Sequence, residues 1–249
     1  MRPVFVKSRV DAPPDFFAAE AAGLRWLAEA TPHGGPRVPT VIDVSEHAIE
    51  MERVATGPWS PHADDVFGRA LAAMHTLGAS SFGAPANGYI GPLPLDNTPS
   101  DDWPSFYATR RIEPYLRDAI DGGSMPASAV STFDRLCARL DDLAGPTEPP
   151  ARIHGDLWRG NVLADTEANP WVIDPAAHGG HRETDLAMMR LFGGFGPRCY
   201  AAYEEASPLA ADHEDRVALH QLHPLLVHAV LFGSSYGADA LRLARRYVS

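Results

Sequence analysis

Between residues 154 and 174 the chain places three oxygen-bearing side chains suited to phosphate chemistry. Asp156 and Asn161 lie in His154-Gly155-Asp156-Leu157-Trp158-Arg159-Gly160-Asn161, and Asp174 ends Val172-Ile173-Asp174. Phosphoryl transfer needs a group that orients the attacking hydroxyl and takes its proton. It also needs oxygen ligands for the magnesium that neutralises nucleotide phosphates. Asp156 suits the first task; Asn161 and Asp174 suit the second. Taken singly, each has a plainer reading: a turn-capping aspartate, an asparagine in a left-handed turn beside Gly160, and a turn aspartate before Pro175. Their order, the four-residue gap between Asp156 and Asn161, and the strand-like pieces between Asn161 and Asp174 favour a shared task. His154 is expected to brace the loop from within rather than act as a base.

A second pair lies near the start. Lys7 is the only lysine among 21 Lys and Arg residues, and Glu20 sits one element later in Phe17-Ala18-Ala19-Glu20. A GC-rich genome accounts for the arginines. A lysine kept against that bias suits a position needing a compact ammonium on a flexible stem. In kinase-like sites a strand lysine meets the α- and β-phosphates and is held by a helix glutamate. Alone, Lys7 would read as a solvated strand end and Glu20 as a surface charge; the downstream loop favours the functional reading.

The elements that must carry these groups follow from periodicity. Val4 to Lys7 reads as a strand, and Asp15 to Ala30 as a helix with Phe16, Ala19, Gly23, Leu24 and Leu27 at helical spacing. Thr40 to Val44 and Ala48 to Met51 read as a β-hairpin. A Gly57-Pro58 break then suggests a linker. Asp64 to Leu77 is an amphipathic helix, and a loop rich in Gly, Pro and Asn fills residues 78 to 104. Helices are expected at 105–120, 127–143 and through most of 184–248, with short strands at Val162-Leu163-Ala164 and Trp171-Val172-Ile173. The division expected is a strand-helix-hairpin lobe over 1–55 and a helical lobe over 56–249.

With 249 residues, 45% of them hydrophobic, the chain can bury a full core. A net charge of -11 counts against nucleic acid or an anionic membrane as the main partner. No run of about 18 uncharged apolar residues occurs and the N-terminus lacks the apolar stretch of a signal peptide, so a cytoplasmic location is expected. Cys137 and Cys199 fit no metal or redox spacing and read as reduced thiols.

HGDLWRGN, IDPAAHGGHRETDLAM and RLFGGF resemble the signature stretches of the fructosamine or ketosamine kinases, relatives of the aminoglycoside phosphotransferases. FVK, EAAGLRWLAE, NGYIGPLP, DDWPSFYATRRIEP and LLVHAVLFGSSYG are also similar to family segments, so the likeness runs in order from residue 4 to about residue 247. It implies an α+β, protein-kinase-like fold of two lobes and an ATP- and Mg2+-dependent kinase acting on a ketosamine, a fructosamine or ribulosamine adduct. Carried over by position, it implies Asp156 as base, Asn161 and Asp174 as magnesium ligands, and Lys7 with Glu20 as the phosphate-binding pair. It further implies Met51-Glu52-Arg53-Val54 as the hinge whose backbone meets adenine. Trp158 then packs near the sugar, although core packing explains an aromatic residue there equally well. Asp185, in RETDLAM, is expected to pin this segment to the catalytic loop.

The family has two strands and a glycine loop before FVK, whereas here the chain opens three residues before Val4. That departure implies a β-rich lobe cut short at its N-terminus. It leaves room for a lid-less pseudokinase and for self-association through an exposed edge strand; an aminoglycoside or other small-alcohol phosphotransferase is the alternative that keeps the ATP chemistry and changes the acceptor, against which Trp158 and LFGGF stand. His178, His181, His220, His223 and His228 invite a zinc reading, but the helix histidines lack a Cys or carboxylate at ligand spacing and are expected to be core or surface residues.

Overall fold

The computed structural model describes residues 3–248; the expected lobe limits at Met1 and Ser249 lie outside these. Strand β1 (Val4–Ser8) leads into helix α1 (Phe16–Ala28), which is followed by β2 (Val41–Val44) and β3 (Ala48–Glu52). The three strands form one antiparallel sheet in the order β1-β3-β2, with Lys7 opposite Ile49. Phe17, Ala21, Leu24 and Leu27 make one buried stripe of α1, as their helical spacing requires. Among the described residues β1 has a partner on one side only, and Val4, Phe5 and Val6 are 41%, 45% and 54% exposed.

Helix α2 (Pro61–Leu77) starts at a Ser60 cap, whose hydroxyl accepts from the Ala63 N–H at 3.2 Å. The expected loop over 78–104 contains a short hairpin, β4 (Gly88–Ile90) and β5 (Leu93–Leu95). Next come α3 (Trp103–Phe106), a π-helical turn Tyr107–Ile112 and α4 (Glu113–Asp121), which together fill the expected helix at 105–120. Helices α5 (Val130–Cys137) and α6 (Leu140–Leu143) split the helix expected at 127–143.

The chemistry-bearing segment is a pair of two-stranded ribbons. Strand β6 (Ala151–Ile153) pairs with β9 (His178–Gly180), enclosing β7 (Val162–Ala164) paired with β8 (Pro170–Val172). The remainder is helical: α7 (Glu183–Phe192), α8 (Pro197–Ala206), α9 (His213–His220), α10 (Leu222–Phe232) and α11 (Ser234–Ala244). One apolar cluster runs from Phe17, Leu24 and Met51 through Phe67 and Leu71 to Val162, Val172 and Tyr203, so the sheet, α1, α2, the β7–β8 ribbon and α8 share a core. A second gathers α3 to α5 and α9 to α11. Cys137 and Cys199 are both free thiols. Among the described residues no helix is long and apolar enough to cross a membrane.

Candidate active site

Lys7 is the penultimate residue of β1, and its ammonium donates to both Glu20 carboxylate oxygens at 2.9 and 3.0 Å. It also reaches Asp174 Oδ1 at 3.1 Å. Burial lowers the Lys7 pKa, but the carboxylates of Glu20 and Asp174 outweigh that effect and raise it, so the ammonium stays charged. Asp174 itself stands at φ 53°, a left-handed conformation uncommon outside glycine. Such a residue persists when its surroundings fix it, and such residues cluster at functional sites.

Asp156 and Asn161 sit on the loop between β6 and β7. The Asn161 amide donates to the Asp156 backbone carbonyl at 2.8 Å and to its Oδ2 at 3.1 Å, which turns Asn161 Oδ1 away as a free oxygen donor. Burial raises the Asp156 carboxyl above its ordinary value, and Asp174 adds to this, while His154, the Asn161 amide and His228 pull it back. Gly155 makes the turn possible. It stands at φ 81°, and a side chain there would collide with the Ala176 carbonyl.

Lys7, Glu20, Asp156, Trp158, Asn161 and Asp174 line one cleft of about 260 Å³. Trp158 is 42% exposed and lies across Gly160, so it is a cleft wall and not a core residue. Met51 and Glu52 close β3 and do not line this cleft. The Glu52 and Arg53 N–H groups are taken by the Thr40 and Pro3 carbonyls, at 2.8 and 2.9 Å. Among the described residues the Val54 N–H has no backbone acceptor, which leaves it available to a ligand.

The profile of the fructosamine kinase family matches residues 1–249, the whole of this arrangement included. The chain belongs to the fructosamine kinase family. It is 36% identical over 237 residues to a Lactiplantibacillus plantarum protein assigned as a ketoamine kinase, covering 93% of this chain and 82% of that one. To the chloroplastic protein-ribulosamine 3-kinase of Arabidopsis thaliana it is 34% identical, covering 98% of this chain and 76% of that one. A Thermobifida fusca crystal structure, assigned as a fructosamine-3-kinase, superposes with a TM-score of 0.92 at 50% identity, covering 99% of this chain and 86% of that one. The fold is accordingly α+β and protein-kinase-like.

In this fructosamine kinase family member the loop from His154 to Asn161 hangs from groups that periodicity alone does not reveal. Asp185 accepts from the His154 and Gly155 N–H groups at 2.7 and 3.0 Å and faces His75 Nε2 at 3.2 Å. His75 Nδ1 in turn faces the Tyr203 hydroxyl at 2.9 Å. Since Asp185 accepts, His75 donates through Nε2 and accepts from Tyr203 through Nδ1. Burial pushes the Asp185 carboxyl up, and the donors around it, His75 first, hold it below the usual carboxylate range. His154 ties the two halves of the site. Its Nδ1 accepts from the Asp156 N–H at 3.3 Å and its Nε2 donates to the Ile173 carbonyl at 2.9 Å, beside Asp174.

The histidines also need a correction. His181, Glu183 and His220 converge, with ligand atoms within 4.8 Å of one another, so a carboxylate does stand beside the helix histidine. Glu183, however, is held by Arg216 through both oxygens at 2.6 and 3.0 Å, and His181 Nδ1 accepts from the Glu183 N–H at 3.3 Å. A guanidinium at this distance from the carboxylate makes it an ion-pair anchor rather than a cation site.

Proposed function

We propose that this chain is an ATP- and Mg2+-dependent phosphotransferase acting on a sugar hydroxyl of a ketosamine, either a fructosamine or a ribulosamine adduct. The observation that carries this reading is the convergence of Lys7, Glu20, Asp156, Asn161 and Asp174 on a single cleft, with the Lys7 ammonium bound to Glu20 and Asp174. Family membership supplies the acceptor class. The expected lobes, 1–55 bearing Lys7 and Glu20 and 56–249 bearing the loop, put the cleft between them, and the cytoplasm is the compartment that fits.

Asp156 accepts the proton of the attacking hydroxyl as its oxygen forms the new bond to the γ-phosphorus, and the bond from γ-phosphorus to the bridging oxygen breaks to release ADP. Its raised pKa makes the carboxyl a better proton acceptor than an exposed aspartate. Lys7, held by Glu20, positions the α- and β-phosphates. Asn161 Oδ1 and the Asp174 carboxylate, which also meets Lys7 and Glu20, are hard oxygen donors, a set that suits magnesium. When bound there, the ion would neutralise phosphate charge. Of the expected hinge, Met51 is paired with β1 and β2 and the Glu52 N–H is held by Thr40, so adenine is met through the Val54 N–H just beyond β3, and Trp158 offers its exposed ring to the sugar.

The test is ATP consumption with a panel of ribulosamine, fructosamine and aminoglycoside acceptors. The reading predicts turnover with one or both ketosamines. Turnover with aminoglycosides alone would overturn the acceptor class, and nucleotide binding without turnover on any acceptor would favour a pseudokinase.

A further inference from the structure

A larger cavity, of about 1050 Å³, borders α1 along Ala19, Ala22, Gly23 and Trp26, next to the cleft that holds the Lys7–Glu20 pair. It meets the catalytic cleft only along a shared wall of Ala19, Gly88, Asn97 and Ala177, and none of Lys7, Glu20, Asp156, Asn161 or Asp174 lines it. We infer that this cavity is a regulatory site for one neutral, largely apolar small molecule. The inference goes beyond the proposed phosphotransfer and concerns its control.

The ligand class follows from how the lining charges are already spent. Arg182 is paired with Glu148 at 2.6 and 2.7 Å and donates to the Ser207 hydroxyl at 2.9 Å. Arg152 donates to Glu29 at 2.9 Å and stacks on Trp26, 4.3 Å from the ring centroid. Both ring nitrogens of His75 are engaged. A charged ligand would find no free counter-charge and would lose its hydration. Much of the remaining wall is small and apolar, Ala22, Gly23, Ala84 and Pro149 among it. The hydroxyls of Thr76, Ser80 and Ser81 have no partner among the described residues and can orient a ligand's carbonyl or hydroxyl.

The regulatory role follows from what the walls hold. Gly23 lies three residues beyond Glu20 and packs on Ala177, three residues beyond Asp174; a methyl group on Gly23 would sit 3.3 Å from the Ala177 side chain. His75 is one hydrogen bond from Asp185, which holds the loop carrying Asp156. An occupant therefore touches the supports of all three acidic groups of the site. If it alters their placement it changes the affinity for MgATP, and MgATP changes its affinity by the same factor.

The experiment titrates the protein with Nile red, a neutral aromatic dye, and follows its fluorescence with and without saturating MgATP. Expected are one saturable site, at least tenfold weakening in Ala22→Trp and in Ala84→Trp at unchanged melting temperature, and a reciprocal change of threefold or more between dye and MgATP affinities. Two substitutions on different elements, one in α1 and one in the loop after α2, guard against one that fails to fold. Non-saturable binding, binding indifferent to both substitutions, complete displacement of dye by MgATP, or affinities that do not influence each other would each overturn the inference. Every readout is a binding measurement, so a wrong acceptor class for the kinase leaves these results unchanged.

Discussion

The Lys7 ammonium lies 3.1 Å from Asp174 Oδ1, joining two residues 167 apart in the chain, while Glu20 holds it from the other side. The first strand and the end of the β7–β8 ribbon therefore meet through one cation. Lys7→Arg keeps the charge but brings a planar fork that cannot occupy the same point between two carboxylates. Steady-state kinetics should show at least a tenfold loss in kcat/KM for ATP with an unchanged melting curve. Unchanged kinetics would leave Lys7 as a structural ion-pair residue.

Asp174→Ala should remove magnesium-dependent nucleotide binding, because the remaining oxygen donor, Asn161 Oδ1, cannot hold the ion alone. Calorimetry with MgATP is the check. Equal affinity in wild type and variant would exclude Asp174 as a ligand.

The pH dependence has a defined sign. Burial raises the Asp156 carboxyl, so the acidic limb of kcat should lie above the ordinary aspartate value of about 3.9. Activity is present when Asp156 is ionised and disappears as pH falls through its raised pKa. A limb at or below the ordinary value would contradict the assignment.

Glu183 behaves in the opposite way. Burial alone would raise its carboxyl, but His220 and Arg216 beside it hold it at about 2, against 4.5 for the free side chain. A depressed carboxyl contributes stability above the unfolded value, and that stability is lost as pH falls from 4.5 through 2. Arg216→Ala, which strands a buried charge, should lower stability by about 3 to 5 kcal/mol at neutral pH. Denaturant melts across this range would show it; a variant as stable as wild type at pH 7 would contradict the pairing.

The one-sided pairing of β1 among the described residues gives a further expectation. Exposed, unpaired strand edges with apolar side chains template association, and Val4, Phe5 and Val6 are all open. Light scattering should show a mass that grows with concentration, and Val6→Lys should return it to that of a monomer. A wild type that stays monomeric throughout would remove this surface from consideration.

The parts of the site legible in the sequence are those written within a few residues. His154-x-Asp156 and Asn161, four residues intervening, need only a turn to bring them together, and Lys7 and Glu20 need one strand and one helix. Hidden from sequence were the supports. His75 looks like one more residue of an amphipathic helix, because its partners Asp185 and Tyr203 lie 110 and 128 positions away. The pairing of β6 with β9 joins two three-residue strands, one of them His178-Gly179-Gly180, too short and too glycine-rich for periodicity to register. The carboxylate beside His220 leaves no local spacing signal because Glu183 comes from a different helix. The π-helical turn at Tyr107–Ile112 leaves no mark in composition, since it changes hydrogen-bond register and not residue type.

The central claim is that Asp156 takes the proton of a ketosamine hydroxyl while Lys7 and Asp174 in the same cleft position ATP. Its most direct test is the single-turnover rate of phosphate transfer from γ-labelled ATP to a fructosamine and a ribulosamine, in wild type and in Asp156→Asn. The substitution keeps shape and most hydrogen bonding but removes the base, so the rate should fall about 10²- to 10⁴-fold with MgATP affinity unchanged. A variant that retains more than half the wild-type rate, or a wild type that transfers no label to either ketosamine, would contradict the account.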